Sequence, residues 1–341
     1  MDIETRVIPF LAGDGLRCEL LHVRAQGVRP SRGPVLLVHG AGVRANIFRA
    51  PVETTLVDYL LARGHDVWLE NWRASIDLPP TEWTLDDAAA FDHPRAIEAV
   101  MQDTGAKSVR AVIHCQGSTS FMMSAVAGLL PAVDCIVTNA VSLHPVVPVK
   151  AAAKLRWAIP AIAPFLRFIN PQWGLHPPHF RARLLTALVR ATHHECDNIV
   201  CRYASFTYGV GFPTLWRHEN LNDATHDWLT REFANVPISF FRQMGRCVRH
   251  GRLLAARTHP GLPSDFTAQE PKTDARVAFF AGAMNRCFLP ASQKRSYAFM
   301  SRYRPNRHSL TILPDYGHLD VFMGARAATD VFPLIARELE R

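Results

Sequence analysis

Short runs of aliphatic and β-branched residues alternate along much of the chain with stretches whose apolar residues recur every three or four positions. The first kind reads as strands buried on both faces, the second as helices that cover them. Val35-Leu36-Leu37-Val38 predicts a buried strand, Val52 to Leu61 a helix that stops at Gly64, and Asp66-Val67-Trp68-Leu69 the next strand. A helix is expected from Asp92 to Asp103, with Asp92 as cap, Pro94 in its first turn and Gly105 as its stop. Val109, Val112 and Ile113 mark another strand, which turns at His114-Cys115-Gln116-Gly117 into a helix from Ser118 whose buried face is Phe121, Met122, Ala125, Val126, Leu129 and Leu130. Residues 1–33 carry weaker strand signals such as Leu20-Leu21-His22-Val23. Towards the other end, Val277-Ala278-Phe279-Phe280 and Leu310-Thr311-Ile312-Leu313 predict strands around a helix over Ala291 to Tyr303, with a closing helix from Ala325 to Leu339. Strand and helix alternating in this way predict an α/β fold, a mostly parallel central sheet with helices on both faces.

The middle of the chain departs from that rhythm. It opens with proline-interrupted apolar sequence, His144-Pro145-Val146-Val147-Pro148, and predicts helices around Phe180 to Thr192, Asn222 to Phe233 and Phe240 to Leu254. The expected organisation is therefore a core built from residues 1–142 and 270–341, with a helical cap over residues 143–269 at the carboxyl edge of the sheet, where open α/β folds bind ligands. The lipophilic run from Ala151 to Ile169 is broken by Lys154, Arg156, Pro160, Pro164 and Arg167, so it suits a lid or an interfacial surface rather than a membrane span. Trp157, Phe165, Phe168, Trp173, Phe206, Tyr208, Phe212 and Trp216 make the cap apolar, although for any one of them packing inside the cap is the commoner fate.

Composition narrows the partners. Of 341 residues, 48% are hydrophobic and 20% charged, as in an ordinary globular protein. The formal charge of +8 comes from arginines spread along the chain, with no basic and aromatic platform for nucleic acid. Arg246, Arg249, His250, Arg252 and Arg257 gather positive charge at the end of the cap. Such a run is usually a solvated helix face, and otherwise guides a carrier-bound acyl group or an anionic membrane surface. Seven unevenly spaced cysteines give no disulfide framework, and Met1-Asp2-Ile3-Glu4 opens no secretory signal, so a reducing cytoplasm is the expected compartment. His193-His194-Glu195-Cys196 and Cys201 match no zinc-site spacing, so neither a metal nor a cofactor is expected.

The candidate chemistry lies at three loops. A strand that turns sharply into a helix with a nucleophile at the tip and a glycine two residues on is a nucleophile elbow, and here the tip is Cys115. The helix N-terminus beneath it favours a thiolate. After the strand at Val35, His39-Gly40-Ala41-Gly42 is either an ordinary glycine turn or half of an oxyanion hole, with the N–H groups of Ala41 and Gln116 as the two donors. Tyr316-Gly317-His318-Leu319-Asp320 follows the last strand, where a histidine can serve the nucleophile. Asn285, after the strand at Val277, is the group expected to orient that ring by accepting its N–H, with Asp320 as the alternative. A thiol is acidic enough to work with a neutral amide in this position.

These landmarks resemble a known family. His39-Gly40, Asp66-Val67-Trp68 running to Asn71 and Arg73, Asp92-His93-Pro94, and Val112-Ile113-His114-Cys115-Gln116-Gly117-Ser118-Thr119 are similar to successive landmarks of the acid-lipase branch of α/β-hydrolases, and to the hydrolase modules that accompany cholesterol-oxidase-type flavoproteins. That branch has a glycine where this chain has Ile113, a serine where it has Cys115, and an acid where it has Asn285. The resemblance implies the α/β-hydrolase fold and cleavage of a lipophilic carboxylic ester or thioester through an acyl-cysteine. Transfer of the acyl group to an alcohol or amine, and a non-catalytic lipid- or carrier-binding role, are the alternatives.

Overall fold

The computed structural model describes residues 2–194, 196–210 and 215–341. Its strands are β1 (Ile3–Leu11), β2 (Arg17–Ala25), β3 (Pro34–Val38), β4 (Asp66–Asn71), β5 (Val109–His114), β6 (Val133–Asn139), β7 (Phe168–Ile169), β8 (Val236–Pro237), β9 (Arg276–Gly282) and β10 (Ser309–Leu313). Eight of them form one sheet in the order β1-β2-β4-β3-β5-β6-β9-β10, and β7 and β8 pair separately. The β1–β2 and β2–β4 ladders are antiparallel, and all other ladders of the large sheet are parallel. β3 and β4 are buried at every position, as strands covered on both faces must be.

Each predicted core strand is present, and the helix boundaries differ for local reasons. The helix expected from Val52 starts at Leu56, where Thr55 and Asp58 form a reciprocal capping box. The closing helix is two pieces, Ala327–Asp330 and Phe332–Leu339, because Pro333 lacks the N–H that would continue the first. The helix after β5 begins at Cys115 itself and runs to Val126, with every residue buried. Asp92 is not a cap. It has helical dihedrals inside a helical run from Leu85 to Thr104, and makes no capping bond. Its carboxylate instead receives the guanidinium of Arg73, with Nε to Oδ1 at 2.9 Å and the terminal nitrogen at 2.6 Å, and also the Arg73 backbone N–H at 3.0 Å. Arg73 is only 6% exposed, so its charge has to be met inside the protein; Asp14 supplies the second carboxylate.

Residues 140–275 lie between the adjacent strands β6 and β9. Their helices include Phe180–Thr192, as predicted, and Ile199–Tyr208, capped by Asn198 and not predicted. Asn222 caps a shorter helix, Asp223–Trp228, and Ile238–His250 ends at Gly251, whose φ of 66° stops it short of Leu254. This segment is tied to loops at the carboxyl ends of the core strands. Ala234 N–H donates to the Gly42 carbonyl at 3.0 Å, and Tyr208 Oη donates to the Ala41 carbonyl at 2.7 Å. The lipophilic run is helical as far as Ile162 and ends in β7, with Trp157 and Phe165 facing solvent, 68% and 58% exposed. Phe212 lies outside the described residues. Among the described residues no helix is long and apolar enough to cross a membrane. In the basic run, Arg252 and Arg257 pair with Asp265 and Asp87.

The buried ion pair gives a direct test of this packing. Asp92→Ala should lower unfolding free energy by about 3–5 kcal/mol, because it strands a buried guanidinium. Arg95→Ala, which removes an exposed pair with Glu98, should change it by less than about 0.5 kcal/mol in the same urea titration.

Candidate active site

At the end of β5 the backbone changes direction within one residue. His114 is extended, whereas Cys115 has φ 55°, a left-handed conformation unusual for a residue with a side chain. Two glycines admit that geometry. A Cβ on Gly117 would sit 2.0 Å from the His39 carbonyl oxygen, and one on Gly40 would sit 2.9 Å from Cys115 Cβ. The loop after β3 and the elbow are therefore in backbone contact, which only glycine at both places permits.

The loop after β10 brings His318 to the same point. Donor atoms of Cys115, His318 and His114 all lie within 4.8 Å of one another, and the rings of His114 and His318 are 4.7 Å apart. A soft metal ion could bridge the three, but only by consuming the thiolate. The His318 loop is held by its backbone. The N–H groups of His318 and Leu319 donate to the Leu215 carbonyl at 3.1 and 2.7 Å, and Asn139 Nδ2 donates to the His318 carbonyl at 3.0 Å. Asp320 does not contact the ring. Its carboxylate accepts the Gly317 N–H at 2.9 Å and Asn220 Nδ2 at 2.6 Å, so it clamps the loop from below.

Asn285 does reach His318, but with the opposite polarity to that expected. Its Oδ1 accepts two backbone N–H groups, from Cys287 at 2.9 Å and Phe288 at 3.2 Å. Those donors leave Nδ2 facing the ring, and it donates to His318 Nδ1 at 3.0 Å. In that contact a neutral ring carries its proton on Nε2.

The electrostatics favour charge on one sulfur. Burial opposes ionisation of Cys115, yet a hydrogen bond from the Cys287 thiol, the electrostatic pull and hydrogen bonding of His318, and the Gln116 N–H together hold it well below the usual thiol range. Cys287 is pushed up by its contact with Cys115 and by burial, so it remains the thiol donor. Burial, with the charge of His318 second, keeps His114 well below its ordinary value and hence neutral; its Nδ1 accepts from Asn139 Nδ2 at 3.0 Å.

The Gln116 N–H meets the sulfur, and Ala41 lines the same pocket as Cys115. Ala41, Cys115, His318, Tyr208, Phe233 and Leu319 line one small pocket. Gln116 borders a second, larger cavity, which Tyr208 also lines and which is walled by Val147, Leu155, Phe240, Phe241, Met244 and Phe288. As the second residue of its helix, Gln116 has an N–H with no intrahelical acceptor. Lys154 lines the larger cavity, and its ammonium donates to the Phe206 and Thr207 carbonyls at 2.5 and 3.2 Å and to Gly209, closing the end of the Ile199–Tyr208 helix. Burial pulls it down to about 7.

Sequence reasoning missed His114, Asn139, Tyr208, Lys154 and Cys287 as site residues; only His114, next to Cys115, carried a local signal. It also missed a buried relay beneath the elbow helix. Glu70 accepts from His93 Nδ1 at 2.9 Å, and His93 Nε2 meets Ser120 Oγ at 2.8 Å. Its members are inaccessible, so this glutamate–histidine–serine chain supports the helix and meets no substrate.

No family model matches the chain. Over 131 residues, 34% of its length, it is 28% identical to sterol esterase 2 of Saccharomyces cerevisiae, and the match spans about a quarter (24%) of that protein. Among solved structures it is similar to an epoxide hydrolase from Vigna radiata, at 17% identity and a TM-score of 0.60 over 99% of this chain and 98% of that one. It is also similar to a thermophilic esterase from Thermogutta terrifontis, at 14% identity and 0.53 over 98% of both chains. The 2-hydroxy-6-oxo-6-phenylhexa-2,4-dienoate hydrolase of a Rhodococcus strain matches at 13% identity and 0.54 over the whole of both chains. With its mostly parallel eight-stranded sheet, flanking helices and elbow after β5, the chain has the α/β-hydrolase fold.

Proposed function

We propose that this protein is an acyl hydrolase that cleaves a lipophilic carboxylic ester or thioester through an acyl-Cys115 intermediate. One observation carries the reading: an ionisable sulfur on a left-handed elbow, at a helix N-terminus, within 4.8 Å of the His318 ring. The likeness to part of a yeast sterol esterase and to esterase structures supports the same chemistry. In this mechanism the Cys115 thiolate attacks the carbonyl carbon, and the oxyanion lies between the N–H groups of Ala41 and Gln116. The carbon–oxygen or carbon–sulfur bond then breaks, and the leaving group takes a proton from the His318 imidazolium that faced the thiolate, which leaves that ring neutral. Water attacks the thioester, gives a proton to the ring and releases the acid and the thiolate. Residues 143–269 act as the cap, the apolar cavity takes the acyl chain, and the exposed Trp157 and Phe165 suit delivery from a lipid surface.

Asn285 sets the balance between the two halves of this cycle. A charged His318 ring carries protons on both nitrogens, and its Nδ1–H meets the Asn285 NH2 unless that amide turns over and releases the Cys287 and Phe288 N–H groups. Proton pickup from water is thereby slowed, so the acyl-enzyme lives long enough for an alcohol or amine to intercept it. That geometry is what favours acyl transfer as the second reading.

Three outcomes test these statements. Rapid mixing with p-nitrophenyl dodecanoate should release a burst of about one p-nitrophenol per chain, and Cys115→Ala should abolish the burst and cut turnover at least about a thousandfold; an unchanged burst in that variant rejects the proposal. Asn285→Asp, which can hold the backbone donors and also accept Nδ1–H, should raise steady-state hydrolysis at least about tenfold with the burst amplitude kept. A depressed pKa means that the thiolate persists as pH falls. Iodoacetamide should therefore alkylate Cys115 at pH 6.5 within about threefold of its rate at pH 8.5, where an ordinary thiol slows on the order of fiftyfold.

A further inference from the structure

Away from the elbow, the cap gathers four soft ligands that no single stretch of sequence joins. Cys196 Sγ lies 3.3 Å from His226 Nε2, and Cys201 Sγ lies 3.4 Å from His218 Nε2. The donor atoms of all four side chains fall within 4.8 Å of one another, and the two imidazole rings are 4.9 Å apart and inclined by 70°. Two ordinary cysteine–histidine hydrogen bonds would explain either short distance alone. They would not explain why both pairs point at one centre. A tetrahedral zinc ion with sulfur ligands at about 2.3 Å and nitrogen ligands at about 2.0–2.1 Å requires donor-to-donor edges of about 3.3–3.8 Å, and both sulfur–nitrogen distances fall there. We propose that Cys196, Cys201, His218 and His226 form a structural zinc site in the cap.

The surroundings are built for it. Asn198 donates its backbone N–H to Cys196 Sγ at 3.3 Å. Its Oδ1 accepts the N–H groups of Val200 and Cys201 at 3.0 and 3.1 Å, which fixes the helical turn that presents the second cysteine. Its Nδ2 donates to the His226 carbonyl at 3.1 Å. One residue thus orients three ligands, the supporting role that outer-layer groups play around metals. Four protein ligands with no open position make a site that braces the fold rather than one that does chemistry. Of the residues considered as ligands from the sequence, Cys196 and Cys201 belong to the cluster, His193 and His194 do not, and Glu195 lies outside the described residues.

The brace has a clear mechanical target. Cys201 lies on the helix Ile199–Tyr208, whose last residue holds the Ala41 loop, and His218 follows Leu215, whose carbonyl holds the backbone of His318 and Leu319. Between His218 and His226, Asn220 holds the Asp320 carboxylate and its carbonyl accepts the Ala325 N–H. Zinc would lock together the two cap segments that position the oxyanion loop and the histidine loop.

The test uses the full chain, purified without a metal-binding tag. Elemental analysis should find about one zinc per chain, and X-ray absorption at the zinc edge should show two sulfur and two nitrogen neighbours. After chelation, cobalt(II) added to the wild-type chain should develop the visible bands of a tetrahedral thiolate site, and the melting temperature should fall on chelation and recover with zinc. Cys196→Ser and Cys201→Ser should lose the metal, whereas Cys115→Ala, which breaks the other cluster of soft donors, should keep it. The proposal is overturned if the wild-type chain binds neither zinc nor cobalt in this coordination, or if the metal follows Cys115 instead. Should the serine variants fail to fold, the coordination measured on the wild-type chain decides.

Discussion

The left-handed turn at Cys115 is the constraint on which the rest of the site depends. A side-chain-bearing residue in that region costs on the order of 1 kcal/mol, and it persists because the structure on both sides leaves no other path. β5 is paired with β3 as far as Ile113 and with β6 as far as His114, and the following helix starts at the turn itself. Gly117 lies against the His39 carbonyl and Gly40 against Cys115, so the chain can neither relax outward nor unwind inward. The same contacts bring the Ala41 loop beside the sulfur. Conformational strain, donor placement and the position of the sulfur are therefore one feature rather than three.

Around that turn, polar groups are arranged in layers. The sulfur touches the Cys287 thiol and the Gln116 N–H, and His318 stands across from it. Behind them, Asn139 links His114 to the His318 backbone, Asp320 and Leu215 fix the histidine loop, and Tyr208 fixes the Ala41 loop. Beneath the elbow helix, Glu70, His93 and Ser120 satisfy one another in the core. In the proposed mechanism an amide at position 285 is tolerable because a thiol ionises far more readily than a hydroxyl, which would need a carboxylate there.

The core was legible because its signals are local. Apolar strands, the glycine after the elbow and the loop containing His318 each sit within a few residues of sequence, and their order along the chain follows from the parallel sheet. What was illegible depends on partners far away in sequence. Asp92 reads as a cap until Arg73, nineteen residues earlier, claims its carboxylate. Asn285 reads as an acceptor until the backbone of Cys287 and Phe288 occupies its oxygen. Cys196 and Cys201 match no ligand spacing because their companions, His226 and His218, lie 30 and 17 residues further along the chain. In the cap, where no regular alternation of strand and helix constrains the path, folding alone brings such residues together.

The central claim is that Cys115 becomes acylated. Its most direct test is to quench the chain with acid within seconds of adding a long-chain ester, digest it and sequence the peptides by tandem mass spectrometry. The account predicts the mass of the acyl group on Cys115 and on no other cysteine. Turnover with Cys115 unmodified, or with the acyl mass on a different residue, would contradict it.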